Sequence, residues 1–561
     1  MHAQGSAERR SAERRTTEQS TSWHAEPVLF GLLVLLQLVP LVLLRHLGNQ
    51  DGPSHLATAR VLLDHADAAH PIYARLYWLD AFPSPNLATE GLLTGLVALF
   101  RPETAEKLLA AGYLVAFPLA VRYVLQRADS HRPNASARWL SYAAFPLANG
   151  FLFASGFSNF CYGTVVFVLG AGWILRPRRR TGARYVAGLA AWLLGAYVTH
   201  FIPAALLALL AFVPPVAELW RARTARLPSA RQALDGLGAT VLAMVPLAVL
   251  SGLFLLRPAP GESRRDNPLA LLVQLPLLVK PVVALSYAEY PLAIAVGVAL
   301  TGLLVLTARR VGRAGLRGAA GHIAVGAGLV AVLYLAAPEG TSQGGAINAR
   351  LATFPPLLAL LWLAATTATA PPAAVLRRAS AVVFVVAAIG IAGVRWPVEQ
   401  RHSDQVQAYV DAAAQVRPGS TVLGLQYESA NVPKVRGFSD PTLHGASLVA
   451  VLTAGVDVGH YEAELSYFPT RFRRETDVRR VIDPSLRGLD RTPSRISRLR
   501  DDQGQALVDY VLVRGDPDRV PPAGRVAAAR ITDELAGYRL VGVFGERTGP
   551  GTAPVRLYER R

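Results

Sequence analysis

Cysteine is nearly absent: Cys161 is the only one in 561 residues. That excludes an intrachain disulfide framework and any multi-cysteine zinc or iron–sulfur site. Lysine is scarce as well, with Lys107, Lys280 and Lys434 standing against a total of 57 basic residues. No Gly-Lys-Ser/Thr phosphate loop occurs, which excludes an ATP-driven pump of that kind. Only 17% of residues are charged, yet the formal net charge is +18. A chain this basic invites a nucleic-acid partner, but 52% hydrophobic residues and a mean hydropathy of +0.30 point to a membrane instead.

From residue 27 to about 395, apolar runs recur between short charged or Pro/Gly-rich breaks. A span needs roughly 20 apolar residues. Twelve segments qualify or come close: 27–47, 86–100, 107–126, 139–154, 157–175, 185–200, 203–219, 236–256, 290–307, 319–337, 350–369 and 379–395. The stretch 269–288 is interrupted by Pro276, Lys280 and Pro281 and reads as an interfacial or re-entrant element. Residues 1–26 are polar, with four arginines and four glutamates, and read as a disordered cytoplasmic tail. The first apolar run has no small-residue cleavage site after it and reads as an anchor.

Arginine collects in four loops: 176–184, 221–231, 308–318 and Arg377–Arg378, which together hold 15 arginines and no acidic residue. Cytoplasmic loops retain such residues, so these four are placed inside the cell and everything after Arg395 outside. Residues from Trp396 onward hold 23 basic and 21 acidic residues, a balance of only +2. The positive charge is therefore mostly a record of membrane orientation, and no nucleic-acid partner is expected. One inconsistency is left. An inside tail and an inside 176–184 need an odd number of crossings between 48 and 176, where four segments are counted. The fault is expected within 86–126, where Glu90 interrupts a 15-residue apolar run.

Residues 396–561 change character, with frequent charges and no run long enough to span. Residues 403–416 have helical periodicity, 421–425 (TVLGL) and 510–515 (YVLVRG) read as strands, and 538–544 with 555–560 read as an antiparallel pair. The expected architecture is an α-helical polytopic membrane protein of about 11–13 transmembrane helices, residues 27–395, with a C-terminal extracytoplasmic α/β domain, residues 396–561.

The polar stretch 48–85 after the first span is too long for a minimal connection, which favours a functional loop. It holds Asp51 and His55, four residues apart, just beyond the membrane. Such a pair can act as base, metal ligand or substrate clamp. Alternatively Asp51 caps a helix opened by Pro53. Other polar groups fall on the same outer side: Asn159 in the turn 155–159, and His200, where a 35-residue apolar block breaks. Polar groups at membrane depth are costly and usually paired or functional, although a histidine at a helix end also serves as a cap. Arg350 begins a span after a glycine-rich loop and can grip a lipid phosphate or snorkel as an anchor. Arg264 and Arg265, in the loop 257–268, offer further phosphate ligands. The Asp-Pro-Asp at 516–518 reads as a turn rather than a metal motif.

DGPSHLATA (51–59), PNLATEGLLTGL (85–96), GFSNFCYG (156–163), VTHF (198–201) and NARLATFP (348–355) resemble stretches of a largely uncharacterised group of bacterial polytopic proteins. So do PGSTVLGL (418–425) and PTLHGASLVAVLTAG (441–455) in the outer domain. Through these the chain resembles the glycosyltransferase C superfamily over most of residues 30–475. The resemblance implies inverting transfer of a sugar, on the outer face of the cell membrane, from a polyprenyl-phosphate-linked donor to an acceptor hydroxyl of the envelope. It also implies that an acidic residue of the first outer loop is the base or the ligand of a divalent metal ion. Asp51 fits that position. The loop lacks a DxD or ExD motif, and the second acidic group is missing from its matching place, where His55 is a substitute. His444 matches the group's pattern. Two other readings stand beside this one: a transporter or flippase of a lipid-linked envelope precursor, for which internal repeats would be expected, and a non-catalytic membrane scaffold.

Overall fold

The computed structural model describes residues 26–128, 135–176, 178–226, 228–257, 267–340, 344–367, 372–427, 439–473, 495–501, 503–515, 522–547 and 552–561. Arg264, Arg265 and the Asp-Pro-Asp at 516–518 lie outside them. Helix α1 (Glu26–Leu43) leads into the outer loop, which folds as α2 (Gly52–Asp64), α3 (Pro71–Leu76) and the short strand β1 (Tyr77–Leu79). Then come α4 (Leu87–Leu99), α5 (Pro102–Leu125) and a broken passage made of a 3₁₀ turn (Ala135–Ala143), α6 (Ala144–Ala148) and α7 (Phe151–Ala154). The membrane part continues with α8 (Ser158–Leu175), α9 (Ala183–Thr199), α10 (Phe201–Thr224), α11 (Ala230–Leu255), the short α12 (Pro268–Gln274) and α13 (Val279–Val282), α14 (Tyr290–Val311), α15 (Gly318–Ala336), α16 (Ile347–Ala352) and α17 (Phe354–Thr367). It closes with α18 (Ala374–Ala413).

Among the described residues nine helical segments are long and apolar enough to cross a membrane. Two more elements traverse the bundle. Helix α9, of 17 residues, packs along the second half of α11, from Tyr185, hydrogen-bonded to Thr240 ten residues into that helix, to Tyr197, bonded to the Leu250 carbonyl near its end. The broken passage runs the full length of α1. Its Tyr142 hydroxyl donates to Glu26 at the beginning of α1, its Phe145 carbonyl accepts from Gln37 midway, and its Ala154 and Ser155 carbonyls accept from the Gln50 and Asp51 amides beyond the end.

Two of the twelve expected segments are corrected by this geometry. The segment 139–154 is not one helix, because the chain breaks at Asn149–Gly150, where the Pro281 carbonyl occupies the place of a Cβ on Gly150. The freed Asn149 carbonyl accepts from Arg395, which meets the requirement that backbone groups at membrane depth be paired. The segment 86–100 does not cross. Helix α4 has 13 residues, about 20 Å of rise, and lies at the outer level, packing Leu93 and Val97 against Leu56 and Ala59 of α2 and Leu109 of α5. Three passages are thus left between residues 48 and 176, in place of the four segments counted from the sequence. The arginine-rich loops also share one end of the bundle: Arg180 pairs with Glu218, Arg221 contacts His322, and Trp362 donates to the Gly315 carbonyl.

The C-terminal region adds β2 (Thr421–Gln426), α19 (Gly445–Leu452), β3 (Val456–Asp457), β4 (Thr470–Phe472), β5 (Tyr510–Arg514), α20 (Pro522–Glu534), β6 (Tyr538–Phe544) and β7 (Val555–Arg560). Five of these strands form one mixed sheet, ordered β3-β2-β5-β7-β6, with β2 parallel to β3 and β5, and β7 antiparallel to β5 and β6. The expected strands 421–425 and 510–515 and the antiparallel pair 538–544 with 555–560 are all present. The central strands read as unbroken apolar runs because both faces are covered. Val422, Tyr510, Leu512 and Leu557 pack on Tyr409 and Ala412 of α18 and Val449 of α19. Leu423, Leu425, Val511 and Val513 share a core with Val61, Ile72, Tyr73 and Tyr77 of the first outer loop. Strand β1 of that loop also pairs with β4, Trp78 opposite Arg471. The helical 403–416 is the far end of α18, which continues from the last traverse without a break, so loop 48–85 and residues 403–560 are built around common cores.

Candidate functional site

A cavity of about 780 Å³ opens where the outer ends of α8, α10, α11, α15 and α16 meet the first outer loop and residues 443–468. Asp51, His55, Asn159, His200 and Arg350 all line it, together with His444, Tyr461 and Tyr467 from the C-terminal region. One side is apolar, with Leu206, Phe254, Leu255 and Leu333. Five of the seven site residues expected from the sequence therefore converge; the other two, Arg264 and Arg265, lie outside the described residues.

Asp51 sits at the start of α2, but its side chain does not cap that helix. Asn49 does so, its Oδ1 accepting from the Gly52 amide at 2.6 Å. The Asp51 carboxylate is left to the cavity. Its Oδ2 accepts from the Tyr461 hydroxyl at 2.9 Å, and its Oδ1 accepts from Gln50 at 3.0 Å and lies 3.5 Å from His444 Nε2. His444 in turn stacks on Tyr461, ring centres 4.6 Å apart. Burial pushes the Asp51 carboxyl upward, but the hydrogen bond and charge of His444, the charge of His55 and the hydrogen bond from Gln50 together hold the group below the usual carboxylate range. Asp51 is thus a desolvated carboxylate held in its anionic form. Gly156 makes this placement feasible: at φ +79° it approaches so closely that a Cβ would lie 2.8 Å from the Asp51 amide nitrogen and 2.9 Å from that of Gly52.

His55, one turn along α2, points to a different cluster. Its Nδ1 lies 2.8 Å from Glu90 Oε1 of α4 and 2.9 Å from Glu462 Oε1, while its Nε2 contacts the Gly156 carbonyl at 3.1 Å. Burial opposes the charged ring, but the charges of Glu462 and Glu90 raise its pKa well above the ordinary histidine value. Asn159, in the first turn of α8, donates to Glu90 Oε1 at 3.0 Å and so joins this cluster to the cavity wall.

His200 serves both of the roles considered for it. It caps α10, Nδ1 accepting from the Ile202 amide at 3.1 Å, and it lines the cavity. An accepting Nδ1 carries no proton, so the neutral ring bears its hydrogen on Nε2. Burial, and then the nearby Arg350 charge, lower its pKa well below the ordinary value, which keeps the ring neutral. Arg350 rests over the Phe157 ring, 4.6 Å from its centroid, and donates to the Gly345 carbonyl at 2.6 Å. Its Nε is buried without a hydrogen-bond partner, which leaves guanidinium capacity for an anion in the cavity.

Two groups among the described residues have metal-ligand spacing: His55, Glu90 and Glu462, and Asp64, Asp67 and His70. Asp51 belongs to neither. With its oxygens engaged by Tyr461, Gln50 and His444, it suits a base better than a metal ligand.

Glu462, Tyr461 and Tyr467 were not singled out from the sequence. The signal was a short segment, 460–468, in which two carboxylates alternate with aromatic and apolar residues.

Neither a protein-family model nor a curated protein matches the sequence. Among solved structures, ArnT from Cupriavidus metallidurans is similar over 96% of this chain and 98% of that one, with a TM-score of 0.49 at 13% identity, both in the apo state and bound to undecaprenyl phosphate. The oligosaccharyltransferase of Archaeoglobus fulgidus in its apo form is similar over 92% of this chain and 73% of that one, with a TM-score of 0.44 at 12% identity.

Proposed function

We propose that this chain is an integral-membrane glycosyltransferase that moves a sugar from a polyprenyl-phosphate donor to an acceptor hydroxyl on the outer face of the cell membrane. The observation that carries the reading is the composition of one cavity. A buried anionic base, Asp51, and a cation with spare donors, Arg350, line the same space beside an apolar wall. The wall suits an isoprenoid chain, Arg350 suits its phosphate, and Asp51 suits a hydroxyl that must lose a proton.

The reaction follows from those roles. The acceptor hydroxyl gives its proton to Asp51 as its oxygen bonds to the anomeric carbon. The bond from that carbon to the phosphate oxygen breaks, and the electron pair leaves with polyprenyl phosphate, held by Arg350. Direct displacement inverts the anomeric centre. Asp51 then loses the proton to water, and the charged His444, 3.5 Å away, favours its return to the anion. The arginine-rich end of the bundle faces the cytoplasm under this reading, and the cavity and the C-terminal sheet face outward.

The test is transfer from a labelled polyprenyl-phosphate sugar by the purified full-length protein. Asp51→Asn is expected to lose at least about 100-fold in rate while binding donor normally. Arg350→Ala is expected to bind polyprenyl phosphate about tenfold more weakly. Unchanged transfer by Asp51→Asn removes Asp51 from the reaction. A wild-type protein that moves a lipid-linked sugar across vesicles without transferring it is a flippase, and one that binds no prenyl phosphate is a scaffold.

A further inference from the structure

The cluster beneath the cavity contains an unmet electrostatic demand. The Gly156 backbone oxygen accepts hydrogen bonds and cannot donate them, so its 3.1 Å contact assigns the ring proton of a neutral His55 to Nε2. Nδ1 then presents a lone pair to two carboxylate oxygens at 2.8 and 2.9 Å. All three side chains are at least nine-tenths buried, at 6%, 2% and 0% exposure. Glu90 Oε2 is buried and makes no hydrogen bond. A proton on Nδ1 lies along one line and satisfies one oxygen, whereas a cation between the three atoms satisfies all of them and neutralises both carboxylates. Both carboxylates are held in orientation as those of metal ligands are: Thr58 donates to Glu462 Oε2 at 2.5 Å, and Asn159 donates to Glu90 Oε1 at 3.0 Å. The other group with metal-ligand spacing has no such demand, since Arg60 answers Asp64 at 2.6 Å and Asp67 is exposed.

We propose that His55 Nδ1, Glu90 and Glu462 bind one divalent first-row metal ion, Zn²⁺ or Mn²⁺. The separations match the edges of an octahedron with bonds of about 2.0–2.1 Å, and the imidazole selects against Mg²⁺ and Ca²⁺. The three ligands come from α2, α4 and the segment before β4, so the ion fastens the C-terminal region to the outer loop, one helical turn from Asp51. Its place is structural and orienting, and it does not depend on the transferase reading.

The experiment uses the full-length protein in detergent, stripped with a chelator and dialysed. Elemental analysis after adding Zn²⁺ or Mn²⁺ and removing the excess is expected to give one ion per chain, with a rise in Tm that the chelator reverses. Co²⁺ is expected to give a visible ligand-field band. His55→Ala and Glu90→Gln are each expected to weaken binding at least about 100-fold and to abolish that band, whereas Asp67→Asn retains both. Glu462→Gln provides a third test should one variant fail to fold. Wild-type protein that takes up none of these ions, responds to Mg²⁺ alone, or keeps its ion in the His55 and Glu90 variants overturns the proposal.

Discussion

The Tyr461 hydroxyl donates to Asp51 Oδ2 over 2.9 Å, although 410 residues separate the two in sequence. The base of the proposed reaction is therefore set by the C-terminal region as much as by the loop that carries it. His444 acts on the same carboxylate from the same region.

The pH dependence of Asp51 follows from those partners. Burial raises its carboxyl, but His444 first, with His55 and Gln50, holds it below the usual range. The anion, and the stability it contributes, are present above the ordinary carboxylate pKa and are lost only as pH falls through the depressed value. His444→Gln removes the main opposing influence and leaves burial less opposed. The acid limb of the pH–rate profile is expected to move upward by roughly one pH unit. A limb that stays in place would show that His444 does not set the base.

Gly156 is a tight constraint at the site, against backbone and at a positive φ. Gly156→Ala forces a Cβ against the Asp51 and Gly52 amides at a φ of +79°. A cost of roughly 3 kcal/mol or more is expected from strain and overpacking together, read as a fall in Tm. Gly31→Ala, in α1 with nothing near its Cβ, is expected to be neutral or mildly stabilising. Equal effects from the two substitutions would discount the close approach.

Arg395 and Glu289 form a buried pair that closes the breaks in two elements. Arg395 Nη2 donates to Glu289 Oε2 at 2.6 Å and to the Val282 carbonyl at 2.7 Å, while Glu289 accepts from the amides of Ala284, Leu285 and Ser286. Arg395→Met leaves the carboxylate unpaired and is expected to cost about 3–5 kcal/mol. Adding Glu289→Gln is expected to recover part of that loss. Thermal unfolding of the two variants in detergent checks the order; a single variant that melts like wild type would mean the pair is not coupled.

Periodicity and composition revealed what is local in this chain. The apolar runs, the strands of the outer sheet and the break at His200 each carry their signal within a few residues. Asp51, His55, Asn159, His200 and Arg350 stood out because each is a polar group at the edge of an apolar run, where burial is costly. Glu90 was noticed only as a flaw in a span; its meaning needed His55 and Glu462 beside it. Glu462 and Tyr461 had no such contrast, because they lie in a segment where polar residues are common. The expected crossing at 86–100 and the expected single helix at 139–154 depart from the structure for a related reason. Apolarity measures the medium a segment sits in, not whether its helix is continuous, and Gly150 breaks one segment through a contact with Pro281 that lies 131 positions away in sequence.

Helix α18 runs unbroken for 40 residues, from the arginine-rich end of the bundle into the core of the outer sheet. At 1.5 Å per residue it is about 60 Å long, twice the apolar thickness of a bilayer. The helix carries Pro397 in its interior, yet it is continuous across it and so couples azimuth to height. One residue inserted between Arg395 and Ala408 would turn the sheet by about 100° about the helix axis, carrying His444 and Tyr461 away from Asp51. The two halves of the site are indexed to each other by helical register, so the length of α18, more than its composition, is what the fold cannot change.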